Sequence, residues 1–253
     1  MYKFKFIFLT IYYMSNDIDK FFTKLISRHN RKYSEYFRTI EVPKKSENAL
    51  VIVEPRYHRN LAFCIKNACY YCRGWSLYIY HSRANRRFIE KILGDKKDNV
   101  NLIEFCDNNI TRDEYSSLLC SVDFWIKIKA VNILIFQTDT HIRRFGIEEF
   151  LKYDYVGAPW RKSPSVFECD VLVGNGGLSL RKKWQMIKII TTCPLGKYIE
   201  EHYNNHNEDL YFAYFAQKLD LKVPTPDEAM KFSVEHMYYP DPIGTHQASH
   251  EIY

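Results

Sequence analysis

The stretch ILIFQTDTHI, residues 133–142, drives four apolar residues into a polar cluster centred on Asp139. A carboxylate at the end of a buried strand is either a plain loop residue or a group that holds something. Two other apolar runs end in the same way. ALVIVEPR (49–56) closes on Glu54 and Arg56, and WSLYIYHS (75–82) closes on His81 and Ser82. If these runs are strands of one parallel sheet, their polar ends share an edge, and ligands of open α/β sheets bind beyond that edge. Farther along, HNEDLYFAYFAQKL (206–219) puts Glu208 and Asp209 in the first turn of a helix, with Asn207 as its candidate cap. The two acids either complement the helix dipole or include a carboxylate held as a general base. In VGNGGLSLR (173–181), Gly176-Gly177 allows unusual dihedrals and a close backbone approach. It is a platform beneath a sugar or phosphate, or a tight turn between two strands. No Gly-Lys-Ser/Thr follows, and no GxGxxG opens a helix after the first strand, so a Walker loop and the dinucleotide fingerprint are both excluded.

The elements that must position these groups alternate. Residues 16–40 carry an apolar stripe (Ile18, Phe21, Phe22, Leu25, Ile26) and predict a helix capped by Asn16 or Asp17. EVPKKSEN (41–48) is polar and contains Pro, which suggests a linker. The expected organisation is a helical extension over 1–47 and a main domain over 48–253. Strands are predicted over 49–55, 75–82, 100–105 and 133–139, with helices over 58–72, 84–93 and 111–128 between them. Thr111 and Glu114 form a capping box at the start of the last helix. Such alternation predicts an α/β fold, a mostly parallel Rossmann-like sheet flanked by helices.

Composition narrows the function classes. The 253-residue chain is 46% hydrophobic and 26% charged, ordinary globular values that give no sign of disorder or a repeat array. The net charge of +6 is partly local: Arg28, Arg31, Lys32 and Arg38 form one stretch, and Arg83, Arg86 and Arg87 another. These attract anions or form a solvated basic surface. No nucleic-acid-binding motif accompanies them, so a nucleic-acid-associated protein is the last alternative. Seven scattered cysteines suit reduced thiols and a cytoplasmic setting. Cys69 and Cys72 form a lone CxxC without the second pair that a zinc site requires, and core packing is the expectation. The N-terminal MYKFKFIFLTIYYM is weakly signal-like but lacks a small-residue cleavage site, and it is too short to span a bilayer comfortably. Any membrane contact is expected through this segment alone.

Taken in order, ALVIVEPR, ILIFQTDTHI, YDYVGAPW, VGNGGLSLR, NEDLYF and PIGTHQA resemble the GT-A class of nucleotide-sugar glycosyltransferases over about residues 48–250. More closely, they resemble an uncharacterised glycosyltransferase-like family common in giant viruses, fungi and bacteria. The resemblance implies a single GT-A-like domain that transfers a hexose from a nucleotide sugar, expected to be a uridine diphosphate sugar. The acceptor would be a hydroxyl of a glycan, protein or lipid. It also gives Asp139 a role. GT-A enzymes carry a DxD motif whose acids bind a divalent metal, Mn²⁺ or Mg²⁺, that bridges the donor diphosphate. The matching triplet here is Gln137-Thr138-Asp139, so the first acid is missing. By the same resemblance His246 is a further metal ligand, with His141 a weaker candidate. Asp209 is the first choice of base in an inverting reaction, and Glu208 the second. Glu54 and Arg56 would lie near the nucleotide. Asn175, Gly176, Gly177 and Arg181 would face the donor. Trp160 either stacks on an acceptor sugar or packs in the core. The missing Asp keeps one rival open, a catalytically inactive relative that binds carbohydrate or a protein partner.

Overall fold

The computed structural model describes residues 2–162, 171–202 and 206–247, with side chains from residue 20 onward. The chain opens with α1 (Tyr2–Thr39) and then alternates β1 (Asn48–Val53), α2 (Leu61–Tyr71), β2 (Ser76–Ser82), α3 (Arg86–Leu93) and β3 (Asn101–Cys106). Two short helices, α4 (Arg112–Leu119) and α5 (Val122–Lys127), lead to β4 (Asn132–Phe136) and β5 (Thr140–Ile142). β6 (Tyr155–Pro159), β7 (Val173–Lys182), α6 (Lys183–Thr192), α7 (Leu195–Glu201) and α8 (Glu208–Lys218) follow. The described chain finishes with α9 (Pro226–Phe232), β8 (Ser233–Val234) and β9 (Gly244–His246).

The six-stranded sheet runs β3-β2-β1-β4-β7-β6. The first four strands are parallel, and β7 and β6 are antiparallel additions. Both faces are covered, which explains the unbroken apolar runs of β1 and β4. Alternate residues serve opposite layers. Leu50, Ile52, Leu134 and Phe136 join α1, α2, α3 and α9 on one side. Ala49, Val51, Ile133 and Ile135 join α4 to α8 on the other. The chain moves outward from β1 through β2 to β3, then returns to place β4 on the other side of β1. This reversal opens a crevice at the carboxyl ends of β1 and β4, the position at which such sheets take ligands. A second sheet, β5-β9-β8, borders it, with His246 of β9 on the cavity wall.

Two helix expectations are corrected. The first helix begins at Tyr2, so Asn16 and Asp17 lie inside it and not at its start; the side chains before residue 20 lie outside the described residues. The single helix expected over 111–128 is two. Thr111 and Glu114 do form their capping box, but the helix ends at Leu119, and the Ser121 hydroxyl caps a new start by accepting from Phe124 N at 3.3 Å. The break seats Trp125 in the core, where its Nε1 donates to Leu119 O at 2.7 Å. No described helix is long and apolar enough to cross a membrane.

Several expectations of packing are met. The Cys69 thiol is buried and pushed up to about 12 by that burial, which leaves it inert. Cys72 is a buried free thiol, and Cys169 lies outside the described residues. Arg31, Arg83 and Arg86 of the basic stretches pair with Glu35, Glu104 with Asp107, and Glu90 respectively, as a solvated surface does.

The apolar stripe of α1 is part of the main core. Phe21, Phe22, Leu25, Tyr33 and Phe37 are buried among the residues of α2 and the sheet. Tyr33 and Tyr71 hydroxyls meet at 3.4 Å, and Lys66 Nζ donates to Ser34 Oγ at 3.1 Å. Phe22 is 1% exposed. Phe22→Ala is expected to lower the unfolding free energy by about 3–5 kcal/mol in urea denaturation. An unchanged midpoint would mean that α1 is not seated in the core.

Candidate active site

The crevice holds two adjoining cavities. The smaller, about 250 Å³, lies over the ends of β1 and β4 and is lined by Glu54, Arg56, Thr111, Arg112, Gln137 and Asp139 among others. The larger, about 550 Å³, is lined by Asn175, Gly176, Gly177, Asp209, Glu235 and His246 among others. Arg112, Tyr115 and Gln137 border both.

Each wall has a local cause. Glu54 ends β1 and turns back on its own chain, accepting from Arg56 N at 2.9 Å and from the Arg56 guanidinium at 2.8 Å on each oxygen. His81 and Ser82 do not reach the cavities. They are fully buried, and Ser82 Oγ donates to Pro55 O at 2.7 Å. Asn85 donates to Glu54 O at 2.8 Å and to Arg56 O at 2.9 Å, so the end of β2 serves to hold the end of β1. After β4, the 137–140 turn is pinned from three sides. Thr140 N donates to Gln137 O, Asn60 Nδ2 donates to Thr138 O, and Thr140 Oγ1 donates to Gly177 O at 3.0 Å.

The small sheet then delivers His246. β9 pairs antiparallel with β5, with Thr140 opposite His246, and Gln247 N donates to Asp139 O at 3.1 Å. His246 Nε2 lies 3.4 Å from Asp139 Oδ1 and 3.2 Å from Gln137 Oε1. Gln137 Nε2 in turn donates to Tyr115 OH at 3.2 Å. Burial disfavours the Asp139 carboxylate, but the His246 imidazole outweighs it and holds the carboxyl below its usual range. Burial also pulls the imidazole down, yet Asp139 and then Glu235 outweigh it and raise His246. His141 stands apart. Its ring stacks near Phe63 and His29, and burial drives it down to about 3.

Gly176 and Gly177 form neither a turn nor a site of positive φ. They lie within β7, and the space they leave is what counts. A Cβ on Gly177 would run into the His246 ring. A Cβ on Gly176 would sit 2.6 Å from Glu208 Oε1 and 3.0 Å from Asp209 Cβ.

The two acids of α8 part company. Glu208 is buried against Arg181, with contacts of 2.8 and 3.3 Å, and burial raises its pKa despite that partner. Arg181 itself is wholly buried between Tyr155 and Phe212 and lines neither cavity, so it cannot face a donor there; the sheet directs it into the layer beneath. Asp209 is half-buried on the cavity wall, where Gly176 N donates to its Oδ2 at 3.3 Å. Asn207 holds the cap position, but its side chain makes no capping bond. Trp160 is partly buried against the second core layer.

Sequence reasoning missed Glu235. It follows β8, whose parallel pairing with β9 brings its Oε1 to 3.6 Å from His246 Nδ1, and Asn175 Nδ2 donates to its other oxygen. Burial raises its pKa, opposed by His246. The signal was there in FSVE, a short apolar run ended by a carboxylate. Arg112 and Tyr115 were missed because TRDEY reads first as a cap.

A divalent ion is implied only by the resemblance. Among the described residues no group of three or more His, Cys, Asp or Glu side chains is arranged to hold a metal. Asp139 Oδ1 is nonetheless buried without a hydrogen-bond partner and faces an imidazole nitrogen. The pair fits an ion that takes its other ligands from a bound diphosphate or water.

The glycine at 177 yields a direct test. Gly177→Ala is expected to destabilise the fold by about 1–3 kcal/mol by overpacking. In Gly196→Ala, an added Cβ in α7 meets nothing within 4 Å, and stability should be unchanged or gain up to about 1 kcal/mol from helix propensity. Equal melting temperatures for the two variants would contradict the contact at 177.

Comparison with known proteins agrees with this architecture. The pneumococcal glycosyltransferase GlyE (Streptococcus pneumoniae TIGR4, apo form) superimposes with a TM-score of 0.50 at 16% identity over 82% of this chain. This chain spans 56% of that protein's length. Mouse xyloside xylosyltransferase 1, also in its apo form, gives a TM-score of 0.52 at 8% identity, covering 82% of this chain and 99% of the mouse chain. At these identities the likeness is one of fold. No curated protein matches the sequence. The model of the family described as "Protein of unknown function (DUF5672)" matches residues 99–246, more than half of the chain, and the protein belongs to that family.

Proposed function

We propose that this protein is a glycosyltransferase that moves a hexose from a uridine diphosphate sugar to an acceptor hydroxyl on a glycan, protein or lipid. The observation that carries the reading is the meeting of Asp139 with His246, itself on the wall of a cavity that also holds Asp209, an acid outside any ion pair with the described residues, at the switch point of a glycosyltransferase-like sheet. The smaller cavity, with Glu54 and Arg56, suits the nucleotide. The larger, with Asn175 and Gly177, suits the sugar and acceptor.

Asp139 and His246 would hold Mn²⁺ or Mg²⁺ together with the donor diphosphate. When bound, such an ion neutralises the charge that develops on the departing diphosphate. Asp209 then acts on the acceptor. Its carboxylate takes the hydroxyl proton as the oxygen attacks the anomeric carbon, and the electron pair of the breaking bond leaves with the diphosphate. Glu208 is less suited to this step, because Arg181 occupies both of its oxygens. It keeps Asp209 in place by anchoring the start of α8.

One observation favours a second reading, an inactive relative that binds carbohydrate. Gln137 is neutral where a second metal-binding acid would stand. No residue of the basic stretches lines either cavity.

Calorimetric titration with uridine diphosphate sugars, with and without Mn²⁺, separates the readings. Asp139→Ala is expected to abolish metal-dependent donor binding while the circular dichroism spectrum stays intact. Unchanged affinity would remove Asp139 from the site. Asp209→Asn should keep donor binding and lower transfer by about 10²-fold or more. Full activity in that variant would sink the base assignment.

A further inference from the structure

Arg112 stands where the two cavities meet. It is the first residue of α4, its side chain is exposed, and it borders both spaces together with Tyr115 and Gln137. Among the described residues, only Arg56 and Arg112 bring an arginine or lysine to the cavity walls. Arg56 is already committed, forked onto both oxygens of Glu54. Arg112 makes no ion pair with any described residue. Among the described residues it is also the one arginine or lysine on the wall of the larger cavity, which carries Glu208, Asp209 and Glu235. Its field reaches Glu208, whose carboxyl it draws downward against burial.

The opposite wall explains what such a cation would do. Gln137 spends its amide on Tyr115 and His246 and brings no charge. That leaves Asp139 and His246 as a thin set for holding an ion, and an ion held thinly is a weak clamp on a diphosphate. A guanidinium meets phosphate directly, through two parallel N–H···O bonds. Standing at the junction, Arg112 can reach an anionic group that spans from the nucleotide side to the sugar side. The carboxylates on the same walls repel such an anion, and Arg112 is the uncommitted cation that can offset them.

We propose that Arg112 binds the diphosphate of the donor directly, so that this protein holds a nucleoside diphosphate in the absence of any divalent cation. The inference rests on the nucleotide-sugar reading above and assigns to a side chain part of the charge neutralisation otherwise left to a metal. The same contact would stabilise the diphosphate as it leaves.

The test is calorimetry on the full chain with uridine, guanosine, adenosine and cytidine diphosphates and their parent nucleosides, in EDTA and in Mn²⁺. In EDTA one diphosphate is expected to bind the unaltered protein more tightly than its nucleoside. Arg112→Ala should weaken that diphosphate about 10- to 100-fold and leave the nucleoside unaffected. Arg112→Lys, which keeps the charge and loses the fork, should fall between. Arg31→Ala, on the far basic stretch, should bind as the unaltered protein does. Melting temperatures verify that each variant is folded. Diphosphate binding that requires Mn²⁺, or that is equal in Arg112→Ala and the unaltered protein, would overturn the inference and leave the glycosyltransferase reading standing. If folded protein binds no diphosphate in either buffer, that reading falls, and the role of Arg112 with it.

Discussion

The imidazole of His246 rests on bare backbone at Gly177, and much of the site depends on that contact. His246 belongs to the small sheet and Gly177 to the large one. Any side chain at 177 would push the two sheets apart at the point where Asp139, Gln137 and His246 meet. The hydrogen bond from Thr140 Oγ1 to Gly177 O acts in the same sense, tying the 137–140 turn to β7. A close approach of this kind is the use of glycine that needs no unusual dihedral, only a missing Cβ.

Charge in the crevice is distributed unequally. The buried pair Arg181–Glu208 is internally balanced and joins β7 to α8 beneath the surface. Its ionic groups are costly to bury, and each requires the other to remain in place. Above it, Asp139, Asp209 and Glu235 share one raised imidazole. Three carboxylates around one histidine leave a surplus of negative charge, which a bound cation would relieve. The structure thus separates an inner pair that fixes shape from an outer group with unmet electrostatic demand.

Much of the sheet was legible in the sequence, because strands covered on both faces must be apolar throughout and must surface at their ends. That rule found β1, β2 and β4, and it placed Glu54, Arg56 and Asp139 on one edge. It misassigned His81 and Ser82, since a polar residue at a strand end can bond to its neighbours rather than point outward. Arg181 misled for a related reason: alternation along β7 sends it inward, and only the buried Glu208 makes that tolerable. The split at Ser121 was hidden because a serine can cap a new helix or sit within an existing one, and tertiary packing of Trp125 decides between them. Glu235 was signalled only by the short run FSVE, and Arg112 by no local pattern, because neither says which distant wall the side chain faces.

The small sheet also has a consequence for the order in which the molecule is made. Asp139 leaves the ribosome more than a hundred residues before His246. The parallel strands β1 to β4, with α1 and α2 against them, can therefore assemble while β7, α8 and β9 are still to come. During that interval the 137–140 turn has no Gly177 to bond and no imidazole beside its carboxylate. Completion of the candidate site is a late event in synthesis, and a nascent chain released before residue 246 would present the 137–140 turn with no imidazole across it.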